Sequence, residues 1–224
     1  MQIFQGIAAI LLSYLIGSIP FGLLIVKART GKDVRKVESG RTGGTNAMRA
    51  AGFWAGFFTA LLDILKAAST VWIVRAFGLG VWIQVLAPLA AIFGHNYSIF
   101  LVERKDGKLH LGGGAGGAAS VGGAFGLWAP SILIVFPVGF FIFFAVGYAS
   151  ITTMSVALIA MAIFIVRTIV VGSPWQYILY GVFAELLLIW ALRPNIKRLL
   201  EGKERLHGWR AKNQKWGDGE IAQE

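Results

Sequence analysis

The chain has 224 residues, of which 56% are hydrophobic and 14% are charged, and it contains no Cys. Soluble domains carry about 25% charged residues, so the composition excludes an ordinary water-soluble enzyme and predicts an integral membrane protein. It also argues against a nucleic-acid binder, despite a net charge of +10. Without Cys, the chain can form neither disulfides nor Cys-ligated metal sites.

Continuous apolar runs, which are typical of membrane-spanning helices and not of a membrane barrel, occur at seven places. No basic residue precedes the first run and no small-residue cleavage site follows it, which indicates a span and not a removable signal peptide. The fourth run is short and rich in Gly, a poor helix former. The runs cover residues 3–26, 53–74, 81–102, 112–127, 131–148, 151–171 and 175–192.

The basic residues predict how these spans are oriented. Of the 21 Lys and Arg, all but three lie in the segments 27–49, 104–108 and 193–224. Cytoplasmic loops collect Lys and Arg, so these segments should share the cytoplasmic side. The sequence therefore predicts an all-α polytopic bundle of about seven transmembrane helices, with the N-terminus outside and the C-terminus cytoplasmic. Five spans, with the Gly-rich run and one neighbour forming a re-entrant unit, are the alternative.

This pattern also predicts the domain organisation. Residues 1–202 should form a single transmembrane domain, and residues 203–224 a basic cytoplasmic tail. The tail contains two Trp among its charges, so it either lies on the anionic inner leaflet or is disordered.

The first polar loop has the composition of a phosphate site. Residues 38–49 include three Gly, two Thr, a Ser, an Asn and two Arg, with Arg41 and Arg49 flanking the hydroxyl groups. Gly lets backbone N–H groups converge on an anion, and Arg offers a bidentate fork. A helix beginning near Thr45 would direct its positive end at the same place. The alternative is a polar loop that only connects two helices.

Two further features lie near the cytoplasmic side. His95 is at the end of the third span, where a neutral imidazole can accept a proton from a hydroxyl, or can simply bond a carbonyl group. Residues 112–117 are rich in Gly. Their backbone either cradles an anion, as the nearby Lys105 and Lys108 favour, or allows close helix packing.

Several motifs together resemble the bacterial integral-membrane acyl-phosphate:glycerol-3-phosphate acyltransferase family. The resemblance implies a seven-span bundle with an active site at the cytoplasmic face. It implies transfer of a fatty acyl group from acyl phosphate to the 1-hydroxyl of glycerol 3-phosphate, giving lysophosphatidic acid, with no cofactor and no metal. The matching segments are residues 17–22, 33–35, 39–49, 61–66, 94–100 and 195–200.

The resemblance also implies roles for individual residues by matching position. Ser39 and Arg49 would contact glycerol 3-phosphate, and Thr45 and Asn46 would shape the loop. His95 would lie beside the reacting groups.

Other positions of the resemblance come from later in the chain. Asn195 and Arg198 would close the site from the C-terminal side, and Ser150 matches a Ser of the family. Gly113, Gly114 and Gly116 match a phosphate-binding stretch.

Two positions depart from the family pattern. Ala115 stands where the family has a Lys, and Leu192 stands where it has a His. Lys105 or Lys108, on a polar insert just before the Gly-rich run, is the candidate to replace the missing cation.

Two rival hypotheses remain open at this point. One is a transporter or flippase of lipids or small molecules, although its polar groups should then lie near the middle of the membrane in related halves. The other is a family member without this activity. The expected setting is the bacterial inner membrane, with lipids as surroundings and no nucleic-acid partner. Nothing in the sequence indicates an oligomeric state.

Overall fold

The computed structural model describes residues 2–105 and 107–213. Apolar composition makes most of this part helical, and one short antiparallel hairpin interrupts it. The helices are α1 Gln2–Ser18, α2 Phe21–Thr30, α3 Gly44–Ala51, α4 Phe53–Ala76, α5 Val81–Asn96, α6 Gly117–Leu127, α7 Ile132–Ala145, α8 Ala149–Val171, α9 Gln176–Leu200 and α10 Gly208–Asn213. The hairpin pairs β1 Val102–Lys105 with β2 Lys108–Leu111.

Five helical segments of the described chain are long and apolar enough to cross a membrane. The first, Gln2–Thr30, joins α1 and α2 across a break before Pro20, whose ring cannot continue the helix. The others are Phe53–Ala76, Val81–Leu101, Ala149–Val171 and Gln176–Leu200. The all-α polytopic class is confirmed.

The fourth and fifth predicted spans correspond to α6 and α7, which have 11 and 14 residues. Both are shorter than the roughly 20 residues that a straight crossing needs. Seven crossings and five crossings are both odd numbers, so either count keeps the two termini on opposite sides. The exact count and the orientation stay predictions.

The Gly-rich run divides into two parts with different roles. Residues 112–116 form a loop, and α6 begins at Gly117 and packs closely on α4. A Cβ atom on Gly122 would come within 2.1 Å of the Ile64 carbonyl oxygen, so only Gly allows this approach. Tertiary packing therefore overrides the low helix propensity of this segment.

The described parts of the three basic segments lie at the same end of the bundle, as the charge pattern predicts. Arg35 of the first loop forms a 2.6 Å salt bridge to Glu103 of the hairpin. Glu38 of that loop accepts a 2.7 Å hydrogen bond from Arg205 of the tail. Contacts of this kind bring distant parts of the chain together at one surface.

Candidate active site

Arg41 joins three of the segments that the sequence singled out. Its Nη1 donates to the Gly114 carbonyl at 3.0 Å, and its Nη2 donates to the Ala191 carbonyl at 2.5 Å. Nη2 also lies 3.3 Å from Oδ1 of Asn195. These acceptors carry no net charge, so the guanidinium keeps its positive charge for an anion. Burial and the nearby charge of Arg198 lower the pKa of Arg41.

Asn46 fixes the shape of the first loop. Its Nδ2 lies 3.0, 2.9 and 2.8 Å from the carbonyl oxygens of Val34, Val37 and Arg41. The side chain is buried in the first turn of α3, which begins where the sequence predicted a helix. A buried amide that bonds backbone carbonyls holds a Gly-rich loop in one conformation.

Ser39 and Thr45 occupy two different positions in this loop. Ser39 is exposed to solvent, whereas Thr45 lies half-buried in the first turn of α3. Thr45 therefore lies at the end of α3 where the unpaired N–H groups carry the positive end of the helix dipole.

His95 is buried and faces a carboxylate, instead of bonding a carbonyl at the interface. Its Nδ1 lies 3.4 Å from Oδ1 of Asp63, and the same oxygen lies 2.7 Å from Nζ of Lys66. Lys66 also donates to the Ile19 carbonyl at 2.7 Å, where the first span is broken. Asp63 and Lys66 are three positions apart on α4, the spacing of a pair on one helix face, whereas no pattern in the sequence predicts the contact with His95.

The other imidazole nitrogen of His95 is directed at the Gly-rich loop. A Cβ atom on Gly114 would come within 1.9 Å of Nε2, so the ring lies against the bare Cα atom. The Gly114 N–H also donates to the His95 carbonyl at 2.8 Å. With Nδ1 facing Asp63, Nε2 is the nitrogen that can exchange a proton with a bound molecule.

Asn96, next to His95, is a site residue whose individual role the sequence did not reveal. Its side chain is buried, and neither amide atom has a hydrogen-bond partner within residues 2–105 and 107–213. Gly116 has φ +87°, and a Cβ atom there would meet Oδ1 of Asn96 at 2.7 Å. A buried, unpaired amide beside a Gly-rich loop is available to a bound polar group.

Residues just after Gly202 also reach the site, and no pattern in the sequence predicted this. Ser150 Oγ donates a short hydrogen bond to Oε2 of Glu204, and Asn195 Nδ2 lies 3.3 Å from Oε1 of Glu204. Arg49 Nη2 lies 2.6 Å from Nε2 of His207. Burial and the charge of Arg49 lower the pKa of His207 to about 4, and burial also lowers the pKa of Arg49.

The remaining predicted cations belong to α9 and to the hairpin. Arg198 is exposed on the last turns of α9. Lys108 is exposed on the hairpin, opposite Lys105. Ala115 is half-buried in the Gly-rich loop, and Leu192 is buried in α9. Replacement of the missing cation by a Lys of the hairpin stays a prediction.

The family follows from comparison with known proteins. A family model described as glycerol-3-phosphate acyltransferase matches residues 7–202. The chain belongs to the glycerol-3-phosphate acyltransferase family. A glycerol-3-phosphate acyltransferase of Rubrobacter xylanophilus is 37% identical over 202 residues, which are 90% of this chain and 95% of the relative. One of Thermus thermophilus is 39% identical over 203 residues, again 90% and 95% of the two chains.

Solved structures of this family agree with the fold. The chain is similar to PlsY (YgiH), an integral membrane glycerol 3-phosphate acyltransferase, in its glycerol 3-phosphate form. The TM-score is 0.76 at 32% identity, with 91% of this chain and 96% of that chain covered. For the lysophosphatidic acid form the TM-score is 0.75 at 30% identity, with 94% and 100% covered. The resemblance read from the motifs is thereby confirmed.

Proposed function

We propose that this membrane enzyme transfers a fatty acyl group from acyl phosphate to the 1-hydroxyl of glycerol 3-phosphate. The observation that carries the proposal is the convergence of four segments around Arg41 and Gly114. Arg41 of the first loop bonds Gly114 of the Gly-rich loop and Ala191 and Asn195 of α9, and His95 at the end of α5 lies against Gly114. Support comes from relatives named glycerol-3-phosphate acyltransferase and from PlsY structures in glycerol 3-phosphate and lysophosphatidic acid forms.

The reaction needs little covalent help from the protein. The hydroxyl oxygen attacks the acyl carbon, the bond from that carbon to the phosphate oxygen breaks, and inorganic phosphate leaves with the electron pair. The proton of the hydroxyl goes to Nε2 of His95 or to a phosphate oxygen of the substrates. The protein's main task is to hold both substrates together and to balance their negative charge.

The charge of two phosphate groups calls for several donors. Arg49, Ser39 and Thr45 are proposed to bind the acceptor phosphate. Thr45 lies in the first turn of α3, Arg49 in its last turn and Ser39 in the loop before it, so all three belong to one short segment of the chain. Arg41 and Arg198 add positive charge from the side of α9.

The donor phosphate has a second candidate site. The backbone of Gly113, Gly114 and Gly116 is proposed to bind it, with Lys105 or Lys108 supplying a cation from the hairpin. Asn195 and Ser150 stand at the border of the two phosphate sites.

We place the reaction at the cytoplasmic face of the inner membrane, with residues 1–202 as the catalytic domain and membrane lipids around it. The chain lacks Cys, so single Cys substitutions report the orientation without background. Lys36→Cys should resist an impermeant thiol reagent in intact cells, and Ser173→Cys should react. The reverse labelling would place the basic segments outside.

The acyltransferase activity can be tested directly with the purified protein. Incubation with acyl phosphate and glycerol 3-phosphate should release lysophosphatidic acid and inorganic phosphate in equal amounts. Sealed vesicles containing the protein should not accumulate glycerol 3-phosphate without acyl donor, because the residues proposed to bind phosphate lie in loops and near helix ends and not in the middle of the spans. Uptake without product would favour a transporter, and neither activity would favour a family member that has lost catalysis.

A further inference from the structure

The tail contains a segment, residues 203–209, that packs on the candidate site; we call it the tail strap. Gly202 has φ +68°, a conformation that Gly adopts without strain, and it turns the chain back after α9. An isolated antiparallel bridge then joins Leu206 to Tyr148, just before α8. The family model ends at residue 202, so the tail strap lies beyond the part of the chain that it matches.

His207 is the best anchored residue of the tail strap. Its backbone N–H donates to the Gly147 carbonyl at 2.7 Å, and its ring stacks on Phe143 with centroids 5.3 Å apart. Nε2 of the same ring lies 2.6 Å from Nη2 of Arg49. The imidazole therefore links α3 to α7, and the backbone of His207 holds the connection that follows α7.

The direction of the hydrogen bond to Arg49 determines the chemistry. A guanidinium can only donate, so Nε2 of His207 is the acceptor and the ring proton is at Nδ1. The imidazole in this contact is neutral, in agreement with its low pKa. A carboxylate at this place would cancel the charge of Arg49 and compete with a phosphate, whereas a neutral imidazole orients the guanidinium and leaves its charge intact.

Arg49 keeps donors free for an anion. Its Nε is buried and has no hydrogen-bond partner among the residues that the structure describes. A buried donor without an acceptor destabilises the protein, and binding of a phosphate oxygen would supply the missing acceptor. The planar fork can thus bond His207 through Nη2 and a phosphate through its other N–H groups.

Glu204 gives the tail strap a second attachment to the site. It accepts hydrogen bonds from Ser150, through the hydroxyl and the backbone N–H, and lies 3.3 Å from Nδ2 of Asn195. This leaves Oδ1 of Asn195 directed at Arg41. The strap therefore contacts two side chains, Arg49 and Asn195, that lie in the proposed site.

We propose that the tail strap is a positioning element of the acceptor-phosphate site. His207 acts as a neutral acceptor that holds Arg49 in the orientation in which its free N–H groups bind the phosphate of glycerol 3-phosphate. The proposal rests on the proposed function, since it assigns a role within the same site. His207 does not contact the reacting atoms in this role, so it acts through Arg49.

Kinetics of the full-length enzyme test this role. His207→Ala should raise the KM for glycerol 3-phosphate about three- to ten-fold, the range for one lost hydrogen bond, and leave kcat nearly unchanged. His207→Gln should restore most of the loss, because its side-chain oxygen can accept from Arg49. Lys203→Ala is the matched control, because this exposed strap residue pairs only with Glu201 among the described contacts. That variant should behave as wild type.

Two results would overturn the assignment. One is an unchanged KM in His207→Ala while Arg49→Lys is impaired, and the other is equal impairment of the Ala and Gln variants. If wild type itself forms no lysophosphatidic acid, the proposed function fails separately. The strap is then tested by thermal unfolding: glycerol 3-phosphate should raise the melting temperature of wild type more than that of His207→Ala, and equal shifts would refute the role.

Discussion

His95 and Asp63 face each other across the buried interface of α5 and α4, with Nδ1 3.4 Å from Oδ1. Nζ of Lys66 lies 2.7 Å from the same oxygen, so the Asp63 carboxylate contacts both the ammonium group of Lys66 and the imidazole of His95. The contact fixes the ring of His95 so that Nε2 is directed at Gly114. A carboxylate that orients an imidazole in this way also favours the tautomer with a free Nε2.

If Nε2 takes the proton of the acceptor hydroxyl, His95→Ala should lower kcat by about a hundred-fold or more, the usual contribution of a general base. The KM for glycerol 3-phosphate should change little. Steady-state kinetics across a range of pH measure both effects. A kcat close to that of wild type would show that a substrate phosphate accepts the proton instead.

The buried pair beneath His95 makes a separate prediction. Asp63→Asn should destabilise the protein by about 3–5 kcal/mol, because it leaves the buried charge of Lys66 without a partner. Adding Lys66→Met removes that charge and should recover most of the stability. Activity should stay low in the double variant, because His95 has still lost its orienting carboxylate. Thermal unfolding and kinetics on the same samples separate the two effects, and full activity of the double variant would contradict the orienting role.

Arg49→Lys tests whether phosphate recognition needs the planar fork. A Lys keeps the charge but loses the bidentate geometry. The lost charge-assisted hydrogen bond costs about 1.5–3 kcal/mol, equivalent to a rise of roughly ten- to a hundred-fold in the KM for glycerol 3-phosphate. Arg29→Lys, at an exposed position near the end of α2, is the control and should be neutral. Normal kinetics in Arg49→Ala would show that Arg49 does not bind the phosphate.

Gly114→Ala tests the close packing of the Gly-rich loop on His95. The added Cβ would lie 1.9 Å from Nε2, so either the loop or the ring must move. We expect kcat to fall at least ten-fold, since a displacement of about 1 Å can cost a hundred-fold in rate. Gly80→Ala, at a position with no atom within 4 Å of the new Cβ, is the control. Equal activity of the two variants would show that the site tolerates the shift.

Acidification should release the tail strap. Bonded to Arg49, His207 has a pKa of about 4, below the value of 6.5 for a free imidazole. The charges acting on it are Arg49 and Arg205, opposed by Glu38. The contact therefore contributes its full stability above about pH 6.5 and loses it as the pH falls towards 4.

Hydrogen exchange measures this release. After correction for the intrinsic rate, exchange at the backbone N–H of His207, which bonds the Gly147 carbonyl, should accelerate over this pH range. His207→Gln should not show this acceleration, because its amide does not titrate. A strap that stays equally protected at pH 4 and pH 7 in wild type would contradict the mechanism.

The sequence predicted the helical class and the common end of the basic segments because both depend on local composition. Runs of apolar residues and clusters of Lys and Arg are read directly from the chain. It also identified the loop around Arg41, His95 and the Gly-rich run, which lie within short motifs. Arg41 is found to contact Gly114 and Asn195, two of the other predicted residues.

What the sequence could not predict depends on tertiary contacts without a local pattern. Nothing near Glu204 or His207 distinguishes them from a solvated basic tail, and their partners Ser150 and Arg49 are 54 and 158 residues away. The contact of Asp63 with His95 was missed for a related reason. Lys66 lies three positions after Asp63 on the same helix. Because this local partner can balance the charge of the carboxylate, the pattern does not indicate a second, distant contact.

The break before Pro20 has a consequence for the depth of His95 in the bundle. The break leaves the Ile19 carbonyl free to accept a hydrogen bond from Lys66. Lys66 also pairs with Asp63, and Asp63 faces His95. The depth of the imidazole in the bundle is thus fixed relative to the first span by a series of polar contacts, and not only by the lengths of the helices. In bilayers of different thickness the surrounding helices should therefore change their tilt, while the distance from the Ile19 carbonyl to the imidazole of His95 stays constant.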